Sequence, residues 1–182
     1  RSGDGWAVFH QSLGTAGQYA VRLNQTSATE SVPQWWNSTG PTSTVFSVGS
    51  PSGITNSSTL GYVAYCFSAV NGYSAFGSYI GNGSTDGSFV YLGFRPRFFL
   101  IKRIDTTSHW YIWDSSRNTY NAADTILSPN LTTADVSASS INADIVSNGF
   151  KLRNSDIDRN ASGGTYIYAA FAENPFKIAR AR

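Results

Sequence analysis

Proton-transfer chemistry in this sequence would have to be built from two histidines, two glutamates and a spread of aspartates. His10 or His109 would serve a hydrolase if a carboxylate held the ring beside an activated hydroxyl. Serine is abundant enough for such trios to arise from composition, and no G-x-S-x-G elbow is present. Glu30 and Glu173, with Asp114, Asp124, Asp144, Asp156 and Asp158, would serve a glycosidase if two carboxyls flanked a cleft. Asp156-Ile157-Asp158 puts both carboxylates on one side of an extended chain, but its surroundings read as a solvated turn. The chain is therefore not expected to be an enzyme.

Asn82, Ser84 and Asp86 space three oxygen side chains at alternate positions and are followed by Gly87, like the first half of a calcium loop. Position 93, where the bidentate Glu belongs, is Gly. Turn chemistry accounts for the segment, and no Cys/His cluster suits zinc. No cofactor is expected.

The aromatic residues are the stronger candidates. Adjacent side chains of a strand point to opposite faces, so one of Trp35 and Trp36 is expected at the surface. There, beside Asn37, Ser38 and Thr39, an indole could stack on a sugar or anchor a protein partner. Tyr111, Trp113 and Tyr120 form a second candidate patch.

A repeat at a fixed offset of 104 residues determines which elements carry these groups. Trp6 matches Trp110, Leu23 Leu127, Phe46 Phe150, Asn56 Asn160, Tyr62 Tyr166 and Phe67 Phe171, without a gap. Trp35-Trp36 falls on Ser139-Ser140, which is why the pair stands out. Read this way, 1–77 is a first unit and 78–182 a second. The first unit lacks a counterpart of Ser78–Arg103, and the chain is expected to be the C-terminal part of a longer protein.

Short apolar runs bounded by Gly, Asn and Ser predict strands. In the first unit these are Trp6–His10, Tyr19–Leu23, Thr44–Val48 and Tyr62–Phe67. In the second they are Ser88–Phe94, Arg97–Arg103, Trp110–Asp114, Ala143–Val146, Phe150–Arg153 and Thr165–Glu173. Asn148-Gly149 signals a hairpin, and Pro96 an edge or a bend. Tyr62, Val63, Phe67, Tyr166, Ile167 and Phe171 are expected in the core. Cys66, opposite Ala170, is expected to be a buried thiol.

Charged residues make up 13% of the chain and aromatics 14%. Few charges with many Thr, Tyr, Phe, Val and Gly suit an all-β protein. The expected fold is two tandem, related β-sandwich units, lectin-like or jelly-roll-like, the first short of its N-terminal strands. A single cysteine excludes an internal disulfide framework. A net charge of +2 gives no footing for nucleic acid, and no apolar run is long enough to span a membrane.

The segments Trp36–Gly49, Tyr62–Phe94, Ile101–Arg103 with Trp110–Asn121, and Asn160–Arg182 resemble a family of tandem repeats in tail fibres and other tail proteins of marine bacteriophages. The likeness runs over nearly the whole chain. It implies a virion, extracellular location, other virion subunits as partners, and a homo-oligomer such as a trimer. It carries over no catalytic residue. Three functions follow as expectations: an adhesive or receptor-binding module for host-surface glycan or protein, a purely structural virion module, or, least favoured, a polysaccharide-degrading enzyme.

Overall fold

The computed structural model describes residues 5–49 and 53–175. Its elements are almost entirely antiparallel strands. In chain order these are β1 (Ala7–Val8), β2 (Tyr19–Arg22), β3 (Glu30–Ser31), β4 (Ser74–Ile80), β5 (Phe89–Tyr91), β6 (Pro96–Arg103) and β7 (Trp110–Asp114). They continue with β8 (Thr125–Ile126), β9 (Val136–Ser137), β10 (Ala143–Val146), β11 (Gly149–Leu152) and β12 (Thr165–Ala172). Tight helical turns occupy Pro33–Trp35 and Ser139–Ile141, and one α-helical turn, α1, spans Ile157–Asn160. No helix among the described residues is long and apolar enough to cross a membrane.

A four-stranded sheet in the order β4-β12-β6-β7 faces a three-stranded sheet in the order β10-β11-β5. Strand alternation explains the core between them. Phe99 and Ile101 of β6, Tyr111 and Trp113 of β7, and Tyr166 and Ala170 of β12 point inward, onto Val90, Ile145, Phe150 and Leu152. Phe150 stacks on Phe99 with ring centroids 4.0 Å apart, and Phe99 stacks on Trp113 at 5.1 Å. Gly149 has no room for a side chain: a Cβ would sit 2.0 Å from the Val90 carbonyl oxygen.

The opposite face of the four-stranded sheet is covered over part of its area by a smaller sheet, β1-β2-β3. Leu13 and Val21 pack on Trp110 and Ile167, with Leu100 alongside. Polar ties fix this docking. Trp110 Nε1 donates to the Arg22 carbonyl at 2.8 Å, and the Thr29 N–H donates to the Ile104 carbonyl at 3.0 Å. Lys102 is buried beneath the joint, and its ammonium donates to the carbonyls of Thr26 and Ser108.

The strands expected at Trp110–Asp114 and Ala143–Val146 form with those bounds, and the 143–152 hairpin pairs Val146 with Gly149. Pro96 opens β6, opposite a bulge at Phe171/Ala172, so it marks the bend without lying on an edge strand. Position 77/78 falls inside β4, which pairs with β12 from Ser74 to Ile80. The expected unit boundary therefore cuts a strand of the larger sheet.

The first part of the chain departs from expectation. Thr44–Val48 and Tyr62–Phe67 form no strand, because no neighbouring segment pairs with them among the described residues. Phe46 is 45% exposed while its match Phe150 is fully buried. Trp6 is exposed while Trp110 is buried, and Tyr62, Val63 and Phe67 lie at the surface instead of in the core. Cys66 is a free, exposed thiol, not a buried one. Tyr166 and Ile167 are buried as expected, whereas Phe171 is only half-buried on the outer face. The second-half residues are enclosed, Tyr166 and Phe150 between the two facing sheets and Trp110 and Ile167 beneath the small sheet, whereas their first-half matches have no second layer over them among the described residues. The end of the Asn160–Arg182 segment, residues 176–182, lies outside the described residues.

Candidate functional site

The outer face of β6 and β7 is left open where the small sheet stops. Phe98 of β6 and Ile112 of β7 share this face, and Leu127 joins them by bridging to Ile112. They floor an open groove of about 350 Å³ whose rim is Arg97, Asp114 and Arg117. Phe98 continues the apolar floor onto Phe171, with ring centroids 5.0 Å apart.

The rim is held by local hydrogen bonds. The Asp114 carboxylate accepts from the backbone N–H groups of Ser116 and Arg117, at 2.9 and 2.8 Å, and pairs with the Arg117 guanidinium. Burial alone would raise the Asp114 carboxyl; these donors and the Arg117 charge outweigh it and hold the pKa below the ordinary value. Arg117 also reaches Asp135 at 3.1 Å. Arg97 donates to the hydroxyls of Ser115 and Ser116 and is half exposed. Such a site can stack an apolar face on Phe98 and hydrogen-bond hydroxyls or acidic groups at its rim.

Of the five aromatic binding candidates from the sequence, only Tyr120 is exposed, at 85%, on the loop that leaves Asp114 and carries Arg117. The other aromatic candidates are structural. Trp35 and Trp36 are both buried, against the expectation that one faces out. They sit in and just after a tight helical turn opened by Pro33, where successive side chains do not point to opposite faces. Trp36 Nε1 donates to the Tyr19 carbonyl, and Arg22 lies over the Trp35 ring at 4.7 Å. Trp113 is enclosed in the core with its indole N–H on the Ile141 carbonyl. Tyr111 is buried, donates its hydroxyl to Asp158 and carries Arg159 over its ring at 4.4 Å. Burial pushes the Tyr111 hydroxyl pKa well up.

The calcium candidate closes on itself. Asn82 Oδ1 accepts from the Ser84 N–H and from Asn160 Nδ2, and Ser84 Oγ accepts from the Asp86 N–H. The exposed Asp86 carboxylate faces Lys151 and Arg153, whose charges hold its pKa low. Asn160 is the hub. Its amide donates to Asn82, to the Ser84 carbonyl and to the Asn154 carbonyl, and its Oδ1 accepts from the Asn82 N–H.

The acid-base candidates stand apart. His10 is held by two backbone groups and His109 by the Asn130 amide. Glu30 pairs with Arg22, and Glu173 with Arg95. Asp156 caps α1 by accepting from the Asp158 N–H. Arg97, Phe98, Ile112 and Leu127 read in the sequence as strand or repeat residues and not as site residues, although the alternation along β6 and β7 places Phe98 and Ile112 on the face opposite Phe99 and Trp113.

Together these elements define an antiparallel β-sandwich with an open, aromatic-floored groove on the outer face of one sheet. The chain belongs to the family described as Domain of unknown function (DUF7483), whose model matches residues 1–175. No curated protein and no solved structure matches it.

Proposed function

We propose that this chain is a non-enzymatic adhesive module of a bacteriophage tail fibre or similar virion appendage, binding host-surface glycan or protein. The observation that carries the reading is the open groove on Phe98, Ile112 and Leu127, rimmed by Arg97, Asp114 and Arg117. Its volume falls in the range of small-ligand sites. An aromatic floor beside fixed charged donors and acceptors suits a sugar face and its hydroxyls. The exposed Tyr120 on the adjoining loop extends the surface available for stacking. The phage setting rests on the sequence resemblance. The non-enzymatic reading is supported by the partners already held by both histidines, both glutamates, Asp114 and Asp158.

A purely structural virion module is the second reading, favoured by the exposed apolar run Tyr62–Phe67. A glycan array and a host-cell attachment assay with the purified chain separate the two. Adhesion predicts saturable binding that Tyr120→Ala and Arg97→Ala weaken while the melting temperature stays within a few degrees, as expected for exposed positions. Absence of binding to glycans and to host cells overturns the adhesive reading in favour of the structural one.

A further inference from the structure

The run Tyr62–Phe67 has the pattern of an interior strand. Apolar side chains occupy both of its faces, as in strands covered on two sides. Its match at the 104-residue offset, Tyr166–Phe171, is such a strand: β12 pairs with β4 on one edge and β6 on the other. Yet residues 61–70 are all exposed, and the backbone of Val63–Phe67 makes no hydrogen bond among the described residues. Val63, Tyr65 and Phe67 are 66, 71 and 65% exposed. A long apolar segment with free backbone groups is a template for strand pairing.

A second free edge lies beside it. Among the described residues β1 pairs only with β2, which leaves its other edge without a neighbour there. Its match in the second half, β7, uses that edge to pair with β6, which in turn pairs with β12. In the second half, then, one strand separates the counterparts of β1 and of residues 62–67. In the first half no strand among the described residues takes that place, and Trp6 at the mouth of β1 stacks on Tyr65 with centroids 6.3 Å apart.

We propose that the edge formed by Val63–Phe67 and β1 is a docking slot for one extended strand donated from outside residues 5–175, of the chemistry of β6: a mainly apolar strand closing on Lys-Arg. The register follows from β12, where Phe171 faces Phe98, Ala170 Phe99, Ala169 Leu100, Tyr168 Ile101, Ile167 Lys102 and Tyr166 Arg103. Transferred by 104 positions, Phe67 and Cys66 face two aromatic residues, Tyr65 and Ala64 two aliphatic ones, and Val63 and Tyr62 the basic pair. The docked strand pairs the backbone groups of Val63–Phe67 and flanks their side chains, and its Phe67 end lies next to Phe171, the ring onto which the floor of the groove continues.

The probe is a synthetic peptide with the sequence of residues 95–105 (RPRFFLIKRID), added to the intact chain, with a scrambled peptide as control. Cys66, the one cysteine, reports on the slot. Docking should be saturable at one peptide per chain. It should slow Cys66 alkylation by about tenfold or more and protect the amides of residues 62–67 from exchange, since both reactions then require local opening. Ala64→Pro removes a ladder donor from a segment outside the core and should abolish both effects without lowering the melting temperature. The proposal is overturned if the peptide does not bind, if it binds without protecting residues 62–67, if Ala64→Pro binds it equally well, or if the chain alone is a dimer with Cys66 already shielded.

Discussion

The imidazole of His10 donates from Nε2 to the carbonyl oxygen of Tyr168 at 3.0 Å, joining the first ten residues to the middle of β12. The other ring nitrogen, Nδ1, accepts from the Ser12 N–H at 3.1 Å. Both ring positions are therefore assigned: the proton sits on Nε2, and a second one on Nδ1 would confront a donor. Burial lowers the His10 pKa from 6.5, with the Tyr168 carbonyl opposing only in part.

The sign of the pH effect follows. Below pH 6.5 the unfolded chain takes up a proton that the folded chain resists, so stability is complete above 6.5 and falls as the pH drops through the lowered folded value. Thermal unfolding followed across this range should show the loss. His10→Gln, which keeps a donor for Tyr168, should flatten it; an unchanged profile would assign the loss to other groups.

Lys102 gives the opposite end of the pH scale. Burial lowers its pKa from 10.5 to about 8, against the raising influence of Asp158 and Asp105. Between those values the unfolded chain holds more protons than the folded one, so this residue's contribution makes stability rise with pH from about 8 to 10.5. Urea midpoints measured over that interval should rise, and Lys102→Met should remove the increment.

Phe150 and Phe46 test what enclosure adds to the same residue type at matched positions. Phe150→Ala empties a site stacked on Phe99 and edged by Tyr79 and Tyr168, and should cost about 3–5 kcal/mol. Phe46→Ala, at an exposed position, should stay within about 0.5 kcal/mol. Denaturant midpoints of the two variants decide it.

Asn160 and Asn56 give the polar version of that comparison. Asn160→Ala leaves the buried Asn154 carbonyl without its donor, removes the tie to the Ser84 carbonyl, and should cost roughly 2–4 kcal/mol. Asn56→Ala, at an exposed position, should be close to neutral. Calorimetry of both variants checks the contrast.

Much of the second half was legible because its strands carry their own signals. Trp110–Asp114 and Ala143–Val146 alternate or run apolar between clear turn residues, and the structure pairs them where those signals fall. β4 was missed because Ser74, Gly77 and Ser78 dilute its pattern; it is a strand because β12 lies beside it for its whole length. The two-residue strands β3, β8 and β9 are likewise defined by their neighbours. Tyr62–Phe67 failed in the other direction, its local pattern being that of a strand without a ladder to join. The groove was least legible. Phe98, Ile112 and Leu127 look like ordinary strand residues until the small sheet proves too short to cover them. Trp35 and Trp36 misled because a tight turn, set by Pro33, replaced the extended geometry their neighbours suggested.

β12 is bonded to β4 and to β6 over nearly its full length, antiparallel on both sides. Ladder bonds lie across the strand axis, so a pull along β12 loads both rows in shear, and they must fail together instead of one at a time. A peeling force at an outer strand such as β7 would meet the bonds singly. The sandwich is thus mechanically anisotropic, strongest along the strand at the centre of its larger sheet. An attachment that transmits tension through β12 would hold under loads that a peripheral linkage would not.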